Sequence, residues 1–406
     1  MKPAAPPSQH WPILAIASCG HGPLLRGLDP TMNHVVRVLA TAHGRVTGEA
    51  SGVSTITMDG IAAADGGSVI DGLGVDANGT DGLLTSNQVT ASGGELGSIE
   101  TFNQVTGATS TVSSSSDIYA TIGDGCAGIY GSDTGLVDDF NGQTDTFRTL
   151  NPVSGGAVTG TWNPPASVGN ILCADYNQTS SQSALLNGSN GQLFVTPADF
   201  AAGTTGTPVN ITSVLQALAI PSLGATAENP VTGHAYAGAG DVANLSAPAT
   251  IVDADLNSGQ VSTFPAANTG FTSGMAVDPM TNKALVGANG GFSIEDLTTH
   301  AGTFATPGGQ GDYGFSAWIP GTHDFLVEEP ASPDFSGSTP NNNTLSSILV
   351  ADENGNVVHR YEQFNFFNTF LFDVGAYLQP SSATSKAFAL GPVGQQLHPF
   401  AYQAGQ

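Results

Sequence analysis

Apolar and polar residues alternate in short stretches along most of the chain, and turns rich in Asn and Gly separate the stretches. This pattern predicts short antiparallel strands, because strand side chains alternate between two faces and Asn or Gly supplies the positive φ of tight turns. A strand, a turn and a second strand recur as one unit. Examples of this unit begin at Ser98, Leu136, Ile251, Phe292 and Ile348.

A second pattern precedes this unit, in which a glycine and small apolar residues lead to an acidic residue and a turn. It is clearest in Gly72–Asp76, Gly224–Glu228 and Gly274–Asp278. Looser copies begin near Ile118, Gly169, Gly314 and Gly375. The copies recur about every 50 residues, which is a period typical of propeller blades. Together the two patterns supply four strands per repeat.

The predicted fold is therefore all-β, a single β-propeller that occupies residues 46–406. The seven copies favour seven four-stranded blades, with six or eight blades as the alternatives. The last repeat ends near Tyr402 and is one strand short. We expect the alternating run Gly52–Met58 to supply the missing strand and so to close the ring and cover an exposed edge. A two-sheet sandwich is the competing architecture, but it does not explain a double pattern repeated at this period.

Two repeats carry a resemblance to a known family. Gly274–Val286 with Phe292–Phe304, and Gly224–Ala237 with Ile251–Phe264, resemble the YncE/YVTN type of seven-bladed β-propeller. That type is related to the lactonase-like and NHL-repeat propellers. The resemblance extends over roughly residues 50–402 and implies an architecture much more strongly than an activity.

The composition narrows the class of protein. Only 10 % of the residues are charged, and 8 basic residues oppose 33 acidic ones, which gives a formal net charge of −25. A nucleic-acid partner is excluded on this basis, because binding to phosphates needs lysine and arginine. The surface must consist largely of Ser, Thr, Asn, Gln and Gly, which depends little on ion pairs and suits an extracellular, acidic setting.

Residues 1–45 differ from the rest, because they contain four basic residues and a single acidic one. They are predicted to be a leader or targeting segment, or else a disordered or misassigned start. The short apolar run Trp11–Ser18 ends in a sequence that resembles a bacterial lipobox, with Cys19 as the lipidation candidate. From these features we expect an extracellular or periplasmic protein, which a lipid on Cys19 would anchor to the membrane. No apolar run is long enough to span a membrane.

Cys126 and Cys173 remain as an even pair if Cys19 carries lipid. They could form a disulfide in an oxidising compartment, or they could be two small buried apolar residues on strands.

Candidate chemistry rests on carboxylates, because the usual signatures of serine hydrolases, P-loops and zinc sites are missing from the sequence. Asp76, Glu228 and Asp278 are predicted to share one position at the end of an innermost strand, and Trp318 takes the same place in another repeat. There they could bind a cation or a small polar ligand, or simply cap turns. The run Asp253–Gly259 resembles the start of a calcium loop, although its glycine falls one place late.

Two functions are therefore expected. The first is a secreted or surface-attached, non-catalytic propeller that binds a protein, a glycan or a small molecule on one face. The second is a lactonase-like hydrolase, in which Asp76, Glu228 and Asp278 hold a divalent cation such as calcium at the channel mouth.

Overall fold

Strands dominate the described part of the chain. The computed structural model describes residues 56–57, 68–76, 78–89, 95–115, 127–130, 134–140, 145–151, 157–174, 181–189, 192–215, 221–241, 244, 246–270, 272–308, 313, 316–329, 346–364, 378–381, 386–390 and 396–401. In these ranges the chain forms strands β1 to β29 and the short helix α1 (Thr212–Leu215).

The strands form antiparallel sheets, numbered here in chain order. Sheet 1 contains β2 (Ser68–Val75), β3 (Asp81–Val89), β4 (Glu95–Asn103) and β5 (Thr109–Ser115). Sheet 2 contains β6 (Ala127–Tyr130), β7 (Thr134–Phe140), β8 (Asp145–Asn151) and β9 (Ala157–Trp162). Sheet 3 contains β10 (Asn170–Ala174), β11 (Gln182–Ser189) and β12 (Gln192–Asp199), with β13 (Thr204–Thr205) and β14 (Val209–Asn210) both paired to β12.

In sheets 4, 5 and 6 each strand pairs with the next one along the chain, whereas the outer strand of sheet 7 comes from the N-terminal side. Sheet 4 contains β15 (Pro221–Asn229), β16 (His234–Asp241), β17 (Pro248–Asp255) and β18 (Val261–Thr269). Sheet 5 contains β19 (Thr272–Asp278), β20 (Lys283–Ala288), β21 (Gly291–Asp296) and β22 (Ala301–Ala305). Sheet 6 contains β23 (Ser316–Trp318), β24 (Phe325–Glu329), β25 (Ser346–Ala351) and β26 (Val357–Phe364). Sheet 7 contains β27 (Leu378–Ser381), β28 (Lys386–Leu390), β29 (Gln396–Ala401) and β1 (Ile56–Thr57).

Apolar cores lie between neighbouring sheets. Val195 of sheet 3 belongs to one buried cluster with Val252 of sheet 4. Phe264 of sheet 4 is in another cluster with Val286 of sheet 5, and further residues of sheet 5 cluster with Phe325 of sheet 6. Sheets that stack face to face through their cores, each with its strands in chain order, define an all-β, single β-propeller.

Five blades have an extensively described core, namely sheets 1, 3, 4, 5 and 6. The sequence predicts seven blades, two more than this part of the structure shows. Most side chains of sheets 2 and 7 lie outside the described part, although Phe147 of sheet 2 is buried in one cluster with Leu185 and Phe200.

Sheet 2 corrects one assignment made from the sequence. The stretch that begins at Leu136 is predicted to be the third strand of its repeat, but it belongs to β7, the second strand of sheet 2. The error has a physical origin: the hairpin between strands two and three shows the same alternation as the hairpin between strands three and four. The predicted anchor at Ile118 lies outside the described residues.

The edge of sheet 7 is formed by a strand from the N-terminal side of the chain. β1 pairs antiparallel with β29, so that Ile56 lies opposite Leu397 and Thr57 lies opposite Gln396. The rest of the predicted run Gly52–Met58 lies outside the described residues.

Candidate functional site

The candidate site is the face of the propeller on which the first and third strands of each sheet end. In an antiparallel sheet the first and third strands run in the same direction, so the turns that follow them share one face. We call this the turn face. Side chains join its neighbouring sheets: Asn229 Nδ2 of sheet 4 donates a hydrogen bond to Asn282 Oδ1 of sheet 5 at 2.7 Å. His323 Nδ1 of sheet 6 lies 2.8 Å from Asp278 Oδ2 of sheet 5.

The turns after the first strands begin with a capping carboxylate or amide. Asp76 Oδ1 accepts a hydrogen bond from the backbone N–H of Asn78 at 2.8 Å. Asp278 Oδ1 accepts one from Met280 N–H at 2.8 Å, and Asp278 Oδ2 accepts one from the Thr281 hydroxyl at 2.7 Å. Both carboxylates are buried. The sequence left two interpretations of these residues open, ligand binding and turn capping. In the structure Asp76 and Asp278 cap turns.

Glu228 does not share the position of Asp76 and Asp278, which corrects the prediction. Asp278 pairs with Lys283 across the hairpin, and the residue that pairs in the same way in sheet 4 is Asn229, opposite His234. Glu228 comes one residue earlier in its strand, and successive side chains point to opposite faces of a sheet. Asn229 rather than Glu228 is thus the capping residue of sheet 4.

Trp318 is displaced by one residue in the same direction as Glu228. The residue of sheet 6 that matches Asp76 is Ile319, because Ile319 N–H donates to Asp324 O at 3.0 Å as Asp76 N–H donates to Asp81 O at 3.0 Å. Trp318 Nε1 donates to Thr322 O at 2.8 Å and so fixes this turn. The four predicted residues therefore form two sets that point to opposite sides of their strands.

The turns after the third strands are capped in the same way in five blades. Each cap accepts hydrogen bonds from two backbone N–H groups two to four residues ahead. The caps are Asn103, Asp199, Asp255, Asp296 and Asp352. This arrangement explains the resemblance to a calcium loop: Asp255 caps a turn, whereas Asp253 Oδ1 pairs with His234 Nδ1 at 2.6 Å.

Hydrogen bonding keeps the four aspartate caps ionised. The Ser258 hydroxyl and backbone lower the pKa of Asp255, and the Thr299 backbone N–H lowers that of Asp296 against partial burial. At Asp199 and Asp352 burial raises the pKa, but hydrogen bonds outweigh it and leave the pKa lowered. These four carboxylates of the turn face therefore stay ionised to a lower pH than an ordinary aspartate does.

Ionic contacts join sheets 5 and 6 on this face. The hydrogen bond to Asp278 is the largest cause that raises the pKa of His323. Lys283 Nζ lies 3.3 Å from Glu353 Oε2 of sheet 6. Sequence reasoning missed the His323 pair because the partners are 45 residues apart. Its position in the repeat could have indicated the pair. His323 comes four residues after Ile319, as Asn282 comes four residues after Asp278, and both side chains contact a neighbouring sheet.

The other predicted sites have separate outcomes. Among the described residues, no group of three or more His, Cys, Asp or Glu side chains is arranged to hold a metal ion. Residues 1–45, with the lipidation candidate Cys19, and also Cys126, lie outside the described part. The backbone of Cys173 lies in β10, but its side chain is not described. Lipidation and the disulfide stay predictions.

Comparison with known proteins identifies the fold of the chain but not its family. No family model matches the chain, and no curated protein matches it by sequence. A solved structure described as "Structure of U3-55K" is similar with a TM-score of 0.54 and 9 % identity, covering 87 % of this chain and 99 % of that one. The "Crystal structure of RRP9 WD40 repeats" is similar with a TM-score of 0.53 and 9 % identity, covering 86 % and 97 %. At this identity the similarity supports the β-propeller fold alone, and it does not identify the YncE/YVTN type.

Within the described ranges, no helix is both long and apolar enough to cross a membrane.

Proposed function

We propose that the protein is a non-catalytic binding propeller, secreted or attached to a cell surface, which holds a protein, glycan or small ligand on its turn face. The observation that carries the proposal is the linkage of adjacent turns of sheets 4, 5 and 6 by Asn229–Asn282 and Asp278–His323. Side chains that cap and tie turns make a rigid surface, and a rigid surface loses little entropy when it binds.

The same proposal includes a closed ring of seven blades. Its support is that sheets 2 and 7 each have four antiparallel strands. In addition, the first strands of sheets 4 to 7 contact one another in order, and the first strand of sheet 1 contacts those of sheets 7 and 2. The pairing of β1 with β29 would then join the two ends of the ring. In a closed ring the turns of all blades keep fixed positions relative to one another.

Export remains part of the proposal because of composition. The chain as a whole contains few lysines and arginines, and the leader-like residues 1–45 precede the propeller. Removal of the leader or lipidation of Cys19 is tested by intact mass spectrometry of the protein from its native cells. An unmodified full-length chain in the soluble cell fraction contradicts this part and leaves the binding role to be tested separately.

The alternative is a lactonase-like hydrolase that uses a divalent cation such as calcium held by Asp76, Glu228 and Asp278. No contact in the described residues favours it, because Asp76 and Asp278 cap turns and Glu228 lies in a different register. It is kept as the competing outcome of the experiment below.

The test combines binding and turnover on the full chain. Elemental mass spectrometry after desalting measures bound metal, a panel of lactones and esters measures hydrolysis, and glycan and peptide arrays measure saturable binding. We expect binding to one class of ligand and no hydrolysis above the blank. Stoichiometric metal together with hydrolysis that is lost in both Asp278→Asn and Glu228→Gln would overturn the proposal.

A further inference from the structure

Two large apolar side chains project from adjacent turns of the turn face. Val231 is 75 % exposed and Met280 is 65 % exposed. Each lies two residues after the cap of its turn, Asn229 in sheet 4 and Asp278 in sheet 5, so they occupy the same position in neighbouring blades. Single exposed apolar residues are ordinary, but here two occupy the same position of turns that a hydrogen bond joins. We call Val231 and Met280 together the patch.

Hydrogen bonds to the two caps fix the backbone of the patch residues. The cap Asn229 accepts a hydrogen bond from Val231 N–H at 3.0 Å, and the cap Asp278 does the same for Met280 at 2.8 Å. The Asn229–Asn282 hydrogen bond joins the two turns. Asn282 has a positive φ of 54°, which asparagine tolerates better than most residues. The apolar tips are thus presented on a fixed backbone.

The next turn leaves room beside the patch. In sheet 6 the position that matches Val231 and Met280 is Gly321, two residues after Ile319. It has a φ of 81°, and a Cβ placed on it would meet nothing within 4 Å. The turn of sheet 6 therefore carries no side chain, and has open space, at the position that Val231 and Met280 occupy in their own turns.

Negative charge borders the patch. The turn capped by Asp255 contacts the turn of Val231 through the Leu256 N–H to Gly233 O hydrogen bond, at 3.0 Å. The turn capped by Asp296 contacts that of Met280 in the same way. Lys283, at the end of the Met280 turn, is paired with Glu353. The patch therefore combines aliphatic tips with carboxylates that stay ionised.

We propose that Val231 and Met280, with the carboxylates of Asp255 and Asp296, bind a protein segment that presents aliphatic side chains flanked by lysine or arginine. This inference rests on the proposed binding function and names its partner class. Charge complementarity favours a cationic partner. The tips are aliphatic rather than aromatic, which favours a protein segment over a sugar ring. A second copy of this chain brings the same net charge of −25 and is repelled.

The experiment measures binding of three short synthetic peptides to the full chain by isothermal titration calorimetry. One contains lysines and leucines, the second has serine in place of each leucine, and the third has glutamate in place of each lysine. The variant is Val231→Ser/Met280→Ser. Its matched control is Val105→Ser, because Val105 is 59 % exposed and also lies two residues after a cap, in sheet 1.

We expect the lysine–leucine peptide to bind wild type, and to bind the double variant about tenfold or more weakly. Val105→Ser should stay within about twofold of wild type. Asp255→Asn/Asp296→Asn, which keeps oxygen acceptors for both caps, should weaken binding and flatten its salt dependence. A single cooperative thermal transition in each variant establishes that it is folded.

Three results overturn the inference. These are equal affinity of the double variant and wild type, equal affinity for the serine peptide, and a dimer of wild type in sedimentation that disappears in the double variant. If the arrays find a glycan or small ligand while no peptide binds, the inference fails and the proposed function stands. Metal-dependent hydrolysis instead removes the proposed function itself.

Discussion

At the scale of single residues, the turn face depends on one device, an Asp or Asn side chain that accepts the N–H groups of the turn it begins. Asp296 Oδ1 accepts from Thr298 N–H at 2.9 Å and from Thr299 N–H at 2.8 Å. Asp296→Ala removes both bonds and should lower the free energy of unfolding by about 1 kcal/mol. Asp296→Asn keeps the acceptor and should cost less than about 0.5 kcal/mol. Urea denaturation at neutral pH measures both, and equal losses in the two variants contradict the capping role.

The His323–Asp278 pair has a predictable pH dependence. Because the hydrogen bond to Asp278 raises the pKa of His323 in the folded state, its stabilisation is complete below the unfolded pKa of about 6.5. It is lost as the pH rises through the higher, folded pKa. His323→Gln should therefore lower the thermal midpoint more at pH 5.5 than at pH 8.5. The free-energy effect should stay below about 1 kcal/mol, because the imidazole is half exposed.

Three carboxylates surround that imidazole and share the effect, namely Asp278, Glu353 and Asp324. The control is therefore Asp278→Asn. In that background the change in thermal midpoint caused by His323→Gln should depend much less on pH. A change that is constant from pH 5.5 to 8.5 when Asp278 is present would refute the assignment.

The role of a site residue could be predicted from the sequence only where its contacts are with neighbouring residues of the chain. Asp76 and Asp278 were recognisable as turn caps, since a carboxylate followed by a turn acts on its own backbone. Glu228 was misplaced by one residue because it was matched by its charge. Matching Asn229-Pro230 with Asp278-Pro279 gives the register that the structure has. His323 had no local signal, because its partner comes from another blade.

At the scale of elements, the hairpin from β20 to β21 distinguishes two adjacent glycines. Gly290 has a φ of 76°, and a Cβ there would meet nothing within 4 Å. Gly290→Ala should therefore cost only the penalty of a left-handed backbone, about 1–2 kcal/mol. A Cβ on Gly291 would lie inside contact distance of the Ala305 carbonyl oxygen of β22, which cannot move without disturbing the strand pair.

Gly291→Ala should accordingly be the more damaging substitution, with a loss of about 3 kcal/mol, the upper part of the range for overpacking. Chemical denaturation of both variants measures the difference. If Gly290→Ala lowers the stability as much as Gly291→Ala, the close approach of β22 is not the reason why residue 291 must be glycine.

Elements were predictable where a repeat contains both of its patterns. The strands near Gly224 and Gly274 were found because a glycine start, a capped turn and a second hairpin occur together. Sheet 2 was misread because only one hairpin was distinctive, and alternation alone cannot number the strands of a sheet. The fold class was therefore accessible from periodicity, whereas the position of each strand needed the pairings.

At the scale of the whole molecule, the acidic composition is organised by the fold. Caps from separate repeats, spread along the sequence from Asp76 to Asp352, lie on one face because the first and third strands of their sheets end there. A sequence predicts such a face only once the blade order is known, because the residues that adjoin across blades are far apart in the chain. The turn face therefore arises from the packing of several sheets and not from any single repeat.

The strand β1 offers a test of closure at this scale. Ile56 and Thr57 pair with the edge strand β29, so a chain that begins after Thr57 leaves β29 as an exposed edge. With two residue pairs lost, we expect the free energy of unfolding to fall by at least about 1–3 kcal/mol. A chain that begins at residue 46 retains β1 and serves as the control, with an unfolding curve like that of the full chain. Equal stability of the two truncated chains would show that β1 does not hold the ring together, and the seven-bladed closure proposed above would then fail.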